Sequence, residues 1–263
     1  MKMRHPAGTG FLLLAVLLFL LLPASATPAS PPTSGDRLAG RSAALRQSDA
    51  RAIALAEQVM ENMGGQEAWN NTRYIRWSFF GRRTHYWDKW SGNHRIESEG
   101  LVVLFNANTR EGRAWQDGEE ITDTAMLDET LERAYGMWIN DTYWMFMPYK
   151  LLDPGVTLTY VGEQTMADGR SSEVLQLTFE SVGLTPQNRY LVFVASDTGL
   201  VEQWSYFRDA SDTEPGFTAP WESWQRFGDI MLATGHGRDS DWEIEVFEEL
   251  PADVFENPAP VER

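Results

Sequence analysis

Tyr143-Trp144-Met145-Phe146-Met147-Pro148-Tyr149-Lys150-Leu151-Leu152 is the segment that the rest of this 263-residue chain has to accommodate. Eight of its ten side chains are aromatic or large aliphatic, and only Lys150 is charged. Burying such side chains contributes roughly 1.5–3 kcal/mol each, so the segment represents on the order of 10 kcal/mol as an upper estimate. It needs a large apolar surface to lie on. It lacks the two-residue alternation of a half-buried strand, it is too short to span a membrane, and Pro148 interrupts a regular element. The segment reads as an irregular apolar strap across a sheet.

The sequence on either side supplies that sheet. Short β-type runs separated by turn signals cover Tyr74 to Phe80, Thr84 to Trp90, Asn93 to Glu99, Leu101 to Asn106 and Arg113 to Gln116. Ser91-Gly92 reads as a two-residue hairpin turn, and Asp117-Gly118 marks another. After the strap, Asp153-Pro154-Gly155 returns the chain to strands at Thr157 to Glu163, Ser172 to Phe179, Gln187 to Ala195, Val201 to Phe207, Glu222 to Phe227, Ile230 to Gly235 and Trp242 to Phe247. The connections are too short for parallel crossovers, so the pairing is antiparallel. Two helices accompany these strands. One starts at a Ser48 cap and ends at Gly64-Gly65, and the other covers Thr122 to Asn140 with Leu127, Leu131, Ala134, Tyr135 and Trp138 on one face. A turn of helix at Pro251 to Phe255 closes the chain. The expected fold is mainly β (α+β): one curved antiparallel sheet, or incomplete barrel, of about 11–12 strands covered by helices.

Residues 1–26 read as a signal peptide. Lys2 and Arg4 precede an apolar run from Phe11 to Leu22, and Ala24-Ser25-Ala26 gives the cleavage pattern. Residues 27–48 read as a flexible leader rich in Pro, Ala and Ser, leaving 49–263 as a single domain with a lid insertion at 122–152. Absence of cysteine excludes disulfides, thiolate metal sites, a cysteine nucleophile and a lipidated cysteine. Periplasmic or secreted localisation follows from the export signal. The formal net charge of −16 argues against nucleic acid and anionic membrane surfaces as partners.

Little in the sequence points to catalysis. No Gly-x-Ser-x-Gly elbow, His-Glu-x-x-His helix or phosphate-binding glycine loop is present. Taking Ser91-Gly92 as the turn pairs His94 with Lys89 and His85 with Ser98, which separates the two imidazoles by roughly 13 Å, too far for one ion. No metal and no cofactor are expected, and an enzyme is not expected; an unrecognised activity would have to use carboxylates such as Glu97 or Asp88 beside His94. The unusual feature is the supply of 11 Trp, 13 Phe, 8 Tyr and 10 Met. These side chains either fill the interior or line an apolar cavity, and the reading adopted is the cavity. Its expected lining is Trp77, Phe79, Trp87, Met126, Leu131, Tyr135, Trp138, Tyr143, Trp144, Phe146, Met147 and Leu151.

An N-terminal helix, serial hairpins and a helical insertion midway resemble the lipoprotein-carrier (LolA/LolB-like) half-barrel superfamily, in an uncharacterised exported branch. The local strings are Asn106-Ala-Asn-Thr-Arg-Glu-Gly112 with Ala114-Trp115, Tyr143-Trp144 through Pro148-x-Lys150-Leu151 to Asp153-Pro154-Gly155, and the closing Pro251 to Phe255. The resemblance implies an incomplete barrel whose helices cover a space for acyl chains. The expected function is that of a periplasmic carrier or binding protein for a lipid or lipoprotein acyl chain, not integral to a membrane, with an envelope protein as a further partner. The alternative is a non-catalytic envelope interaction module with a filled core and an acidic docking surface.

Overall fold

The computed structural model describes residues 48–180, 182–237 and 242–261. The signal peptide and nearly all of the leader lie outside the described residues. Strands β1 (Tyr74–Phe79), β2 (Arg83–Asp88), β3 (Asn93–Ser98), β4 (Leu101–Asn106), β5 (Gly112–Gln116) and β6 (Glu119–Glu120) follow in series, and β14 (Ile244–Phe247) pairs with β1 to complete a seven-stranded sheet. A five-stranded sheet contains β7 (Val156–Thr165), β8 (Ser171–Phe179), β9 (Arg189–Ala195), β10 (Val201–Phe207) and β11 (Phe217–Pro220). The hairpin of β12 (Glu222–Phe227) and β13 (Ile230–Gly235) stands apart. All the pairings are antiparallel. The fold is therefore mainly β, with curved antiparallel sheets, no closed barrel and a few helices. The strands divide among three sheets instead of one. The break falls at Trp221, whose N–H bonds to Glu202 O (2.9 Å) while its indole is fully buried between β11 and β12.

Helix α1 (Ala50–Asn62) is capped by Asp49, whose carboxylate accepts from Ala52 N (2.6 Å). Ser48 instead ties the helix start to the β7 edge, where its hydroxyl accepts from Leu158 N (2.9 Å). The helix buries Ala52, Leu55, Ala56, Val59 and Met60. Gly64 ends it at φ 114°, where a Cβ would stand 2.2 Å from Asp229 O, so only glycine fits. A second short helix that the sequence pattern did not reveal, α2 (Gly65–Asn71), follows at once.

Helix α3 (Thr124–Phe146) runs six residues beyond the Asn140 limit read from the sequence and absorbs the first part of the strap. Its cap is Asp123, which accepts from Met126 N (2.9 Å), so Thr124 is already helical. Met147–Lys150 continue as a 3-10 turn. Pro148 is harmless there because the first turn of a helix has no use for its missing N–H. The Tyr149 hydroxyl fastens the turn: it lies 2.9 Å from Met63 O and 2.8 Å from Met231 O, and it accepts from Met231 N (3.2 Å). Burial raises its pKa above the ordinary tyrosine value, so it stays protonated.

Alternation assigns the faces of the seven-stranded sheet. The inner face carries Ile75, Trp77 and Phe79 from β1, opposite Trp87, His85 and Arg83 from β2. The outer face is covered by the C-terminal tail. Buried Arg95 donates to Glu97 (2.6 Å) and to the backbone carbonyls of Val254 (3.2 Å), Asn257 (2.6 Å), Pro258 (3.2 Å) and Ala259 (2.7 Å), which uses every N–H of its guanidinium. Among the described residues, no helix is long and apolar enough to cross a membrane.

Candidate functional site

Eleven of the twelve residues expected to line a cavity gather in two adjoining apolar clusters, with Trp138 packed against both. Trp77, Phe79 and Trp87 project inward from the sheet, and Phe146, Met147 and Leu151 come from the end of α3 and the turn after it. Leu131 and Tyr135 lie nearer the start of α3, against Ile96, Val103 and Ala114. Met126 is the exception. It is 56% exposed in the first turn of α3, ahead of the point where the helix meets the sheet.

The interior that these residues share is occupied by protein. Trp77 from β1, Trp204 from β10, Trp221 and Phe146 are all essentially inaccessible, and they belong to one continuous cluster with Met145, Met147 and Val192. The hollow expected from the sequence is thus closed in this conformation, because the C-terminal half of α3 drops large side chains between the two sheets. Trp204 is packed on every side: Tyr190 stacks on it (5.2 Å), and Trp144 (4.7 Å), Trp221 (5.7 Å) and Phe217 (5.9 Å) meet it edge-on. At the seam between α3 and the five-stranded sheet the rings are half-buried. Tyr143 touches Phe179 and Tyr190, and Trp144 stacks on Phe217 (5.4 Å, 17°).

This aromatic interior leaves its polar atoms unsatisfied. Among the described residues, the buried indole N–H groups of Trp77, Trp87, Trp138, Trp204, Trp221 and Trp242 have no acceptor, and the Tyr143 hydroxyl and His94 Nδ1 have no partner. Folded proteins satisfy the large majority of such atoms, and each exception costs about 1–3 kcal/mol. Of those here, Trp138 and Tyr143 belong to α3, Trp204 packs against Trp144 of α3, and Trp77, Trp87 and His94 come from β1 to β3. Burial drives the Tyr143 pKa well above its usual value, reinforced by nearby Tyr190 and Asp153, and lowers that of His236 to about 3. Both groups are neutral at physiological pH.

One polar network crosses the cluster. Asp141, fully buried on α3, accepts from Arg83 Nε (2.7 Å) and Nη2 (3.0 Å), from Asn140 Nδ2 (2.9 Å) and from His85 Nε2 (2.9 Å). His85 Nδ1 meets His94 Nε2 at 2.9 Å, and the indole of Trp77 stacks on His85 (4.5 Å, 5°). The 13 Å separation derived from the sequence is therefore wrong. The β2–β3 connection is a four-residue loop, Lys89 to Gly92, in which the Asp88 carboxylate accepts from Trp90 N (3.1 Å) and Ser91 N (3.3 Å). His94 consequently pairs with Trp87 and His85 with Ile96, which makes the two imidazoles diagonal neighbours on the inner face. Only the alternation placing both histidines on one face was readable; the register was not.

Burial is the main cause of a lowered pKa for His85, countered by its bond to Asp141 and assisted by the charge of Arg83. His94 is pushed well below the usual value by burial and then by His85. Asp141 stays below the usual carboxylate value: burial raises it, but His85 and Arg83 together outweigh that. The network is thus an ion pair, Arg83 with Asp141, extended by two neutral imidazoles. It lies sealed from substrate access except at Arg83, whose side chain is 21% exposed.

Neither a protein family nor a curated protein matches the chain. Among solved structures, a DUF1329 family protein from Desulfovibrio piger is similar at a TM-score of 0.41 and 14% identity, over 78% of this chain and 97% of that one. MucB is similar at a TM-score of 0.26 and 15% identity, over 71% of this chain and 66% of its own. The MucA/MucB complex from Pseudomonas aeruginosa gives 0.26 and 16%, over 71% and 64%. Similarities this low transfer no property to this chain.

Proposed function

We propose that this chain is an exported, non-catalytic binding protein that takes a hydrophobic guest, a lipid or acyl chain, between α3 and the sheets. The observation that carries this reading is the concentration of unpartnered buried donors around an aromatic interior, beneath a helix whose buried side-chain hydrogen bonds to the seven-stranded sheet are, among the described residues, all made by Asp141. A guest with an acyl chain and ester or carboxyl oxygens would supply acceptors for those N–H groups. It would also bury its methylenes, at about 0.8 kcal/mol each. Entry requires α3 to swing away, and the half-buried rings of Tyr143, Trp144, Phe179 and Phe217 mark the seam where it would begin. This is the arrangement that the resemblance to the lipoprotein-carrier superfamily implies, with 122–152 as the lid.

Purified protein is expected to release acyl-chain lipid on organic extraction, detected by mass spectrometry, and to take up a fluorescent fatty acid saturably. An empty extract together with no uptake would overturn the reading. The closed packing of Trp77, Trp204 and Trp221 favours a second one, an envelope interaction module acting through its acidic surface. Salt-sensitive association with a basic protein, in the absence of lipid, would select it.

A further inference from the structure

We propose that the chain Arg83–Asp141–His85–His94 is an acid-sensitive latch that fastens α3 to the inner face of the seven-stranded sheet at neutral pH and releases it when the imidazoles are protonated. The proposal rests on the reading of α3 as a cover and adds what controls it.

Geometry fixes where the protons are. Asp141 is an ionised acceptor facing Arg83, so the hydrogen on His85 must sit on Nε2 to donate to it. His85 Nδ1 is then a lone pair, which His94 must meet with an Nε2–H. This leaves His94 Nδ1 as a lone pair without a partner, its ring packed against Trp77 (5.7 Å), Phe105 (5.5 Å) and Trp138 (6.4 Å). Every bond of the latch is directional, and the two tautomers are determined by a single carboxylate.

An added proton has nowhere favourable to go. On His94 Nδ1 it creates an N–H that faces rings instead of an acceptor. On His85 Nδ1 it displaces the donor from His94. In either position it adds a second positive charge beside Arg83, when Asp141 already balances the first. The groups that face the pair are few: from α3, Asp141, neutral Asn140 and Trp138; from β2, Arg83; from β1, Trp77; from β4, Phe105. None offers a second negative charge. The protonated imidazole needs water, and water reaches it when α3 lifts.

Lifting α3 also separates Glu132 and Tyr135 from Arg110 on the loop between β4 and β5, an exposed ion pair (3.8 Å) and a cation–π contact (4.0 Å), both of the weak, solvent-screened kind. Among the described residues, the side-chain hydrogen bonds between α3 and the seven-stranded sheet are all made by Asp141. Solvent already reaches one end of the chain of bonds, because the Arg83 side chain is 21% exposed. The sign follows from the direction of the shifts. Both imidazoles have pKa values below 6.5 when closed, so the closed state is fully favoured above pH 6.5 and loses stability as the pH falls below it. Asp141, also lowered, contributes stability that is lost only in more acid solution, below its ordinary 3.8.

The test is hydrogen–deuterium exchange of the full mature chain at pH 7.5 and 5.0, with rates corrected for intrinsic chemistry. Amides of α3 from Leu131 to Phe146 should exchange at least tenfold faster at pH 5.0, while those of β8 to β10 keep their protection. A His85→Gln/His94→Gln double variant should lose this pH response. Should that variant fail to fold, nitrogen-15 spectra of the native histidines serve instead, with both protons on Nε2 at pH 7.5 and midpoints below 6.5. Equal α3 protection at both pH values, simultaneous loss of protection everywhere, a folded double variant that keeps the full response, or Nδ1-protonated tautomers would each overturn the latch. Acid release of α3 with no fatty-acid uptake at either pH would leave the latch standing and remove the carrier reading.

Discussion

Asp141→Ala is expected to lower the unfolding free energy by about 3 kcal/mol at pH 7.5, measured by urea denaturation followed through tryptophan fluorescence. Removing one member of a buried ion pair typically costs about 3–5 kcal/mol, because its partner is left charged and uncompensated. The lower end applies here since Arg83 keeps some contact with solvent and can rotate toward it. His85 has no such escape: it is fully buried, and its Nε2–H would lose its acceptor. Arg83→Ala should cost less, since Asp141 would retain His85 and Asn140 as donors. Equal stability of Asp141→Ala and the parent would show that the network makes no net contribution.

Trp204→Ala is expected to be the most damaging single truncation in the five-stranded sheet, at about 3–5 kcal/mol. Its indole is 1% exposed and contacts rings from α3, β9 and β11, and also Trp221, so removing it opens a space that no single neighbour can fill. Trp204→Phe gives the informative contrast. The indole N–H has no acceptor, so a phenyl ring sacrifices volume but no hydrogen bond. A cost of about 1–2 kcal/mol for Phe is expected by the same reasoning. If Phe proves as costly as Ala, the N–H makes a bond that matters.

These residues also show where sequence reading succeeds. Short β-type runs bounded by turn signals located β1 to β4 to within two residues, and the supply of large apolar side chains marked Trp77, Phe79 and Trp87 as interior, because a strand that packs on other elements must bury such rings. Composition around the strap was sufficient to say it must be covered. Its conformation was less readable. Apolar residues all round the segment erase helical periodicity, and Pro148 looks like a breaker until the preceding helix is known to hand over to a 3-10 turn. Met126 was drawn into the interior by its chemistry, although a helix that starts at Asp123 exposes its first turn.

The histidine network was out of reach for another reason. It needs a hairpin register, which one loop residue more or less would shift, and it needs Asp141, 56 positions along the chain from His85. Asp88 holds the β2–β3 loop with its own carboxylate, and that local choice brings His85 and His94 into contact. The separation of β12 and β13 from the other sheets depends likewise on one tertiary fact, the burial of Trp221.

Absence of cysteine from the chain permits a direct test of α3 as a movable cover. Ala134 on α3 and Ala114 on β5 lie in the same buried cluster, so Ala134→Cys/Ala114→Cys is the starting pair for a tether across that contact. Fluorescent fatty-acid uptake by this variant should fall to background when the disulfide is formed and return to the parent level on reduction. Undiminished uptake by the fully oxidised protein, confirmed as cross-linked by mass spectrometry, would show that the guest does not enter beneath α3.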